Sequence, residues 1–340
     1  TSAGYAFCAG WNGDGQLGLG NNDQKTVLTR LPGVQFASIS PGGEHNCALD
    51  AEGVGYCWGK NDQGRLGLGD TSGRNRPQPV LGGHTFVQLL AEDRNTCGLT
   101  DEGAVYCWGH NGDGQLGNDN VGSHSYVPQR VVGRQIYTQI GVGESHACAL
   151  SQNGDAYCWG KNFEGQLGIG QNGGSQRPTP QKVVGGLKFA DIWAGDYHNC
   201  ALTAEGKAYC WGWNDYASLG IGSQFGSGVP SPQPVSGGHT FVQLALGDYQ
   251  SCGLTPEGKL YCWGRNEEGQ LGIGAFDRHR STPQLVTGFT FQQVDAGDNV
   301  VCAMTVDYKA YCWGKNNDGQ LGIGTSGTNQ NRPQFVMNLP

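Results

Sequence analysis

Apolar residues along this chain fall in short alternating runs cut off by Gly, Asn and Asp, and no helical 3.6-residue stripe competes with them. A run such as FASIS, FVQLL or FADIW comes first. A cysteine-bearing run such as HNCALT follows, and the turn AEG or PEG leads into a third run, YCWG. After GQLG or GRLG and a variable Gly/Ser/Asn-rich stretch, a segment such as RPQPV or TPQLV forms the fourth. Each unit therefore predicts four short strands, with the FADIW type innermost.

The unit repeats. YCWGKN at 56 returns at 106, 157, 209, 261 and 311 with one position varied, and FCAGWN at 7 is a diverged seventh copy. The cysteines of this segment, at 8, 57, 107, 158, 210, 262 and 312, lie 49, 50, 51, 52, 52 and 50 residues apart. Four antiparallel strands in about 50 residues is the pattern of a propeller blade, and radial closure suits it better than a solenoid does. The expected architecture is all-β, a single seven-bladed propeller over 1–340. Its blades would be a half blade at 5–34 and full blades at 35–84, 85–135, 136–187, 188–238, 239–288 and 289–340.

The succession of apolar strand, AGxxH, CALTxxG, YCWGxNxxGQLG and PxxV resembles the regulator-of-chromosome-condensation repeat family over nearly the whole chain. The resemblance implies the propeller and leaves function open, because members of the family serve as exchange factor, photoreceptor and inhibitor. In character this chain is most similar to secreted bacterial members of the β-lactamase inhibitor protein type.

Six cysteine pairs recur ten positions apart across the AEG-type turn: Cys47–Cys57, Cys97–Cys107, Cys148–Cys158, Cys200–Cys210, Cys252–Cys262 and Cys302–Cys312. A hairpin sets each pair directly opposite, within reach of a disulfide. Metal binding is the rival, but one Cys per strand lacks the usual zinc spacing. Six bridges place the protein in an oxidising compartment, secreted or at a cell surface. Cys8 belongs to a third strand whose first and second strands are missing. In a closed ring that missing half would come from before Thr1 or after Pro340.

Composition narrows the functions. Gly makes up 60 of 340 residues, at fixed places inside the apolar pattern, so these are turn residues of an ordered fold. A formal net charge of −8 speaks against nucleic acid and anionic membranes as partners. No apolar run is long enough to span a bilayer. TSAGYAFCAG is not a signal peptide, so in a secreted protein the signal has been removed.

No catalytic constellation stands out, and neither an enzyme activity nor a cofactor is expected. His45, His146 and His198 each precede the second strand and suit a structural hydrogen bond. Trp58, Trp108, Trp159, Trp211, Trp263 and Trp313 suit packing between blades. The Asn of WGxN suits a turn cap. NGDG at 12 and 111 lacks the other ligands of a calcium loop.

Strand alternation puts the first–second and third–fourth loops on one face, and these are the long, variable ones. On that face Asp93, Glu144, Asp196, Asp248 and Asp298 recur once per blade, with Gly43 the exception. They form either an acidic ring or a set of turn caps. Phe163, Tyr197, Trp213, Tyr216, Phe225 and Tyr249 intrude in the same loops, as recognition hot spots do. The candidate binding residues are therefore Phe163, Asp196, Tyr197, Trp213, Tyr216, Phe225, Asp248, Tyr249 and Asp298. The expected role is non-enzymatic recognition of a protein partner, and the carboxylates would suit a basic one. The alternatives are a carbohydrate-binding lectin and a structural module of a larger extracellular assembly.

Overall fold

The structure, a computed structural model, describes residues 1, 3–222 and 228–337. Those residues form six four-stranded antiparallel sheets and one two-stranded sheet. Within each full blade the strands follow chain order from the inside outward. The fourth blade, for example, runs Asp191–Ala194, His198–Leu202, Ala208–Gly212 and Val229–Pro234. Its outermost strand carries Pro230, Pro232 and Pro234, which is tolerable at a sheet edge because proline has no N–H to offer a further strand.

The six innermost strands are Ser38–Pro41, Phe86–Ala91, Tyr137–Val142, Asp191–Ala194, Gln243–Leu246 and Phe291–Gly297. Together they line a central channel of about 390 Å³. The structure thus holds the six complete blades expected and, where a half blade was expected, a two-stranded sheet; the described residues do not form a seventh blade. The seventh copy supplies only the sheet of Phe7–Gly10 and Lys25–Arg30. That sheet sits between the sixth blade and the first: Val27 bridges to Ile323, and Leu31 packs with Phe36 and Trp58.

The six bridges join the cysteines within each hairpin, at Cα separations of 4.0–4.1 Å. Cys8 is unpaired. The repeated side chains then lock neighbouring blades together. Each of the six tryptophans is fully buried. Its indole N–H donates to a backbone carbonyl in the GQLG-type turn of the preceding copy, as Trp211 does to Gln166 at 3.1 Å and Trp58 to Gln16 at 2.8 Å. The buried histidines face the other way around the ring. His45, His146 and His198 meet Thr96, Asn199 and Ser251 of the next blade at 2.8, 2.9 and 2.8 Å. The WGxN asparagines cap their turns: Asn162 accepts from the Leu167 amide at 3.1 Å and donates to the Gln171 carbonyl at 2.9 Å.

Candidate functional site

The turn between first and second strands is only a few residues long, AGDYH in the fourth blade and LGDYQ in the fifth. It throws its third and fourth residues onto one face, beside the loop between the third and fourth strands. There the rings of four sequence-selected aromatics meet. Tyr197 and Tyr249, from neighbouring blades, stack at 5.4 Å with 16° between their planes. Trp213 stands edge-on to both, at 4.9 and 5.1 Å. Tyr216 closes on Tyr249 at 5.0 Å. The loop that carries Trp213 and Tyr216 departs from GQLG, and its Ala217 adopts a left-handed φ of 61° where the other copies have glycine.

All four rings are half-buried against one another, so the cluster is a pre-organised platform and not a set of free side chains. The Tyr197 hydroxyl donates to Glu144, and Tyr197 and Tyr249 share a hydrogen bond. Two cations border the platform. Arg265 lies 5.4 Å from the Tyr216 ring and 5.8 Å from Tyr249, and Arg278 lies 6.0 Å from Tyr216. Phe163 makes no ring contact with this group among the described residues. It is exposed, with the Lys161 ammonium 5.9 Å from its ring. Phe225 lies outside the described residues.

The carboxyl groups behave less uniformly than a charged ring. Asp196 hydrogen-bonds to Glu92 and to Asp248, so three carboxyl groups from three blades share protons. Burial, followed by the neighbouring Asp298 and Asp248, pushes Glu92 up to about 8. Burial and the neighbouring Asp196 and Asp298 push Asp248 up to about 9, and Asp196 moves in the same direction by burial and the Glu92 charge. The remaining positions differ. Asp93 pairs with Arg94 at 3.1 Å, and Asp298 accepts from its own backbone amide. Ring and cap readings thus each hold for part of the set. Among the described residues no group of three or more His, Cys, Asp or Glu is arranged to hold a metal ion.

Glu92 escaped the sequence reading, although a signal existed. It occupies the glycine position of AGDYH, and the other five copies have Gly42, Gly143, Gly195, Gly247 and Gly297 there. A Cβ on Gly143, Gly195 or Gly247 would lie 2.3–2.4 Å from a backbone oxygen of the following blade, which accounts for glycine at these three. Arg265 and Arg278 were also missed, because nothing in their local sequence marks them as neighbours of Tyr216.

Against known proteins, the chain is 34% identical over 141 residues to the ultraviolet-B receptor UVR8 of Arabidopsis thaliana, 42% of this chain and 32% of that protein. It is 30% identical over 299 residues to the human E3 ubiquitin-protein ligase HERC2, 84% of this chain and 6% of that protein. The chain thus spans under half the length of these relatives. Among solved structures, yeast Prp20p superposes with a TM-score of 0.87 at 26% identity, covering 98% of this chain and 85% of that one. That protein has binding properties toward Gsp1p and histones. No helix among the described residues is long and apolar enough to cross a membrane. The family model for the RCC1-like domain matches residues 1–339, and the chain belongs to that family.

Proposed function

We propose that this chain is a secreted, non-catalytic propeller that recognises a protein partner through the face bearing Tyr197, Trp213, Tyr216 and Tyr249. The observation that carries the reading is the four-ring platform itself. Stacked, half-buried aromatics offer contact area at little rotamer cost, and such residues dominate binding energy where they occur. Prp20p, which binds Gsp1p and histones, supports a protein as the partner. Six disulfides fit an oxidising compartment and support secretion, in the manner of the inhibitor-type members. In the same reading, Phe7–Gly10 and Lys25–Arg30 are the outer half of a seventh blade.

The shared protons change how the partner is met. With Glu92 and Asp248 pushed up to about 8 and about 9, part of the acidic face is neutral at pH 7. Steering of a basic partner is then weaker than the residue count implies, and the aromatics supply most of the affinity. The carboxyl groups and rings also suit a sugar, so the test carries both arms: capture of partners from the native fluid, and a glycan array. Trp213→Ala and Tyr216→Ala should weaken protein capture about tenfold or more with thermal stability nearly unchanged. Equal loss from substitutions at Glu205 or Glu257, in turns of the opposite face, would sink the assignment. Array hits lost with Trp213→Ala would make the protein a lectin.

A further inference from the structure

Arg278 borders the aromatic platform from the loop between the third and fourth strands of the fifth blade, Leu260–Arg265 and His279–Leu285. Asn266 clamps that loop. Its backbone amide donates to the Arg278 carbonyl at 3.0 Å. Its side-chain nitrogen donates to the Ala275 carbonyl at 3.1 Å and to the Asp277 carboxylate at 2.7 Å. The backbone beneath Arg278 is therefore fixed, while the side chain is exposed. The guanidinium lies over the Tyr216 ring of the neighbouring blade, 6.0 Å from its centroid.

The carboxylates of this loop are engaged elsewhere. Glu267 takes Arg265 through two nitrogens, at 2.7 and 2.8 Å. Asp277 is held by Asn266 and pairs with Arg280, and Glu268 accepts from Asn329. Among the described residues no carboxylate pairs with Arg278. The two arginines beside Tyr216 thus have different duties: Arg265 is engaged within the fold, and Arg278 keeps its N–H donors free. A guanidinium over a ring holds those donors in its own plane, where a carboxylate can accept two at once. The carboxyl groups at the channel mouth oppose an incoming acid less than their number implies, because Asp196 and Asp248 share protons.

We propose that Arg278 determines which partner the platform takes: a protein segment whose Asp or Glu carboxylate docks on this guanidinium while an adjoining apolar side chain covers Tyr216 and Trp213. The inference rests on the aromatic face being the binding face. The occupant is acidic because the free charge at the platform's outer edge is positive and its backbone is pinned. A lysine or arginine brought to the same place would be repelled. The rings offer contact area whatever the partner's charge, so Arg278 acts on specificity more than on total affinity.

The probe is a random peptide library displayed on phage, selected on the intact protein and depleted on the Trp213→Ala protein. Surviving peptides then depend on the platform, and they should be enriched in Asp and Glu and poor in Lys and Arg. A selected peptide, made synthetically, should bind Arg278→Gln about tenfold more weakly than the parent, with a flatter salt dependence. Arg278→Lys keeps the charge without the planar fork and should fall between the two. Asp215→Asn removes an exposed carboxylate beside Tyr216 and should strengthen binding about twofold. The same selection on Arg278→Glu should enrich Lys and Arg instead. All these Arg278 variants should melt with the parent, since the side chain is exposed and pairs with no carboxylate of the fold.

Platform-dependent peptides without acidic enrichment would overturn the assignment of Arg278 and leave the aromatic face standing. So would equal affinity of a selected peptide for the parent and Arg278→Gln. A selection that returns no peptide sensitive to Trp213→Ala would overturn both.

Discussion

Replacing Glu92 by glutamine should remove part of a pH-dependent stability, leaving the part that buried Asp196 and Asp248 carry. In the folded protein the Glu92 carboxyl is pushed from 4.5 up to about 8, chiefly by burial and then by the nearby Asp298 and Asp248 charges. A fold that raises an acid's pKa holds the proton more tightly than the unfolded chain does. The resulting stabilisation is therefore complete below about pH 4.5 and disappears as the pH rises through about 8. At about 1.4 kcal/mol for each tenfold in proton affinity, the ceiling is about 5 kcal/mol, held jointly with Asp196 through their shared proton. Thermal melts at constant ionic strength between pH 5 and pH 9 should show the parent losing several degrees. Glu92→Gln keeps a donor toward Asp196 and carries no charge. Its melting temperature should match the parent near pH 5 and exceed it above pH 8. Parallel curves for the two proteins, or a parent whose melting temperature does not fall across this range, would refute the shared-proton cluster.

Other substitutions test the scaffold. Gly195→Ala would place a Cβ 2.4 Å from the Gly247 carbonyl oxygen, and should cost about 1–3 kcal/mol in chemical denaturation. The same change at Gly297, where a Cβ would meet no atom within 4 Å, should cost less than about 0.5 kcal/mol. Removing one hairpin bridge as Cys200→Ala with Cys210→Ala should destabilise by about 2–3 kcal/mol, read by denaturant titration, because a ten-residue loop constrains the unfolded chain only modestly. Non-reducing peptide maps should recover all six bridges within hairpins, and a bridge between blades would contradict the assigned register.

Much of the blade was determined by the sequence alone, because its information is local. Alternating runs, turn glycines and cysteines ten positions apart act within one hairpin, where a two-residue side-chain period leaves a single register that buries the apolar face. The asparagine caps follow from the turn sequence, whereas Cys47 opposite Cys57 and the short paired strands around Cys8 follow from that period. So does the sharing of one face by Tyr197, Trp213, Tyr216 and Tyr249, since strand parity alone decides it.

Contacts between blades were decided only by the ring. Glu92 and Asp196 lie more than a hundred residues apart, and no local pattern brings them within hydrogen-bonding distance across the channel mouth. The same closure that joins them removes water from both carboxyl groups, so a row that looks uniformly charged in sequence folds into a partly neutral, proton-sharing cluster. Arg265 reaches Tyr216 of the neighbouring blade for the same reason, while also bordering Tyr249 of its own. Phe163, which the sequence groups with them, makes no ring contact there. Side-chain spacing along a strand is set by backbone geometry, whereas spacing around a channel is set by how many blades close the circle and what fills the gap between the last and the first.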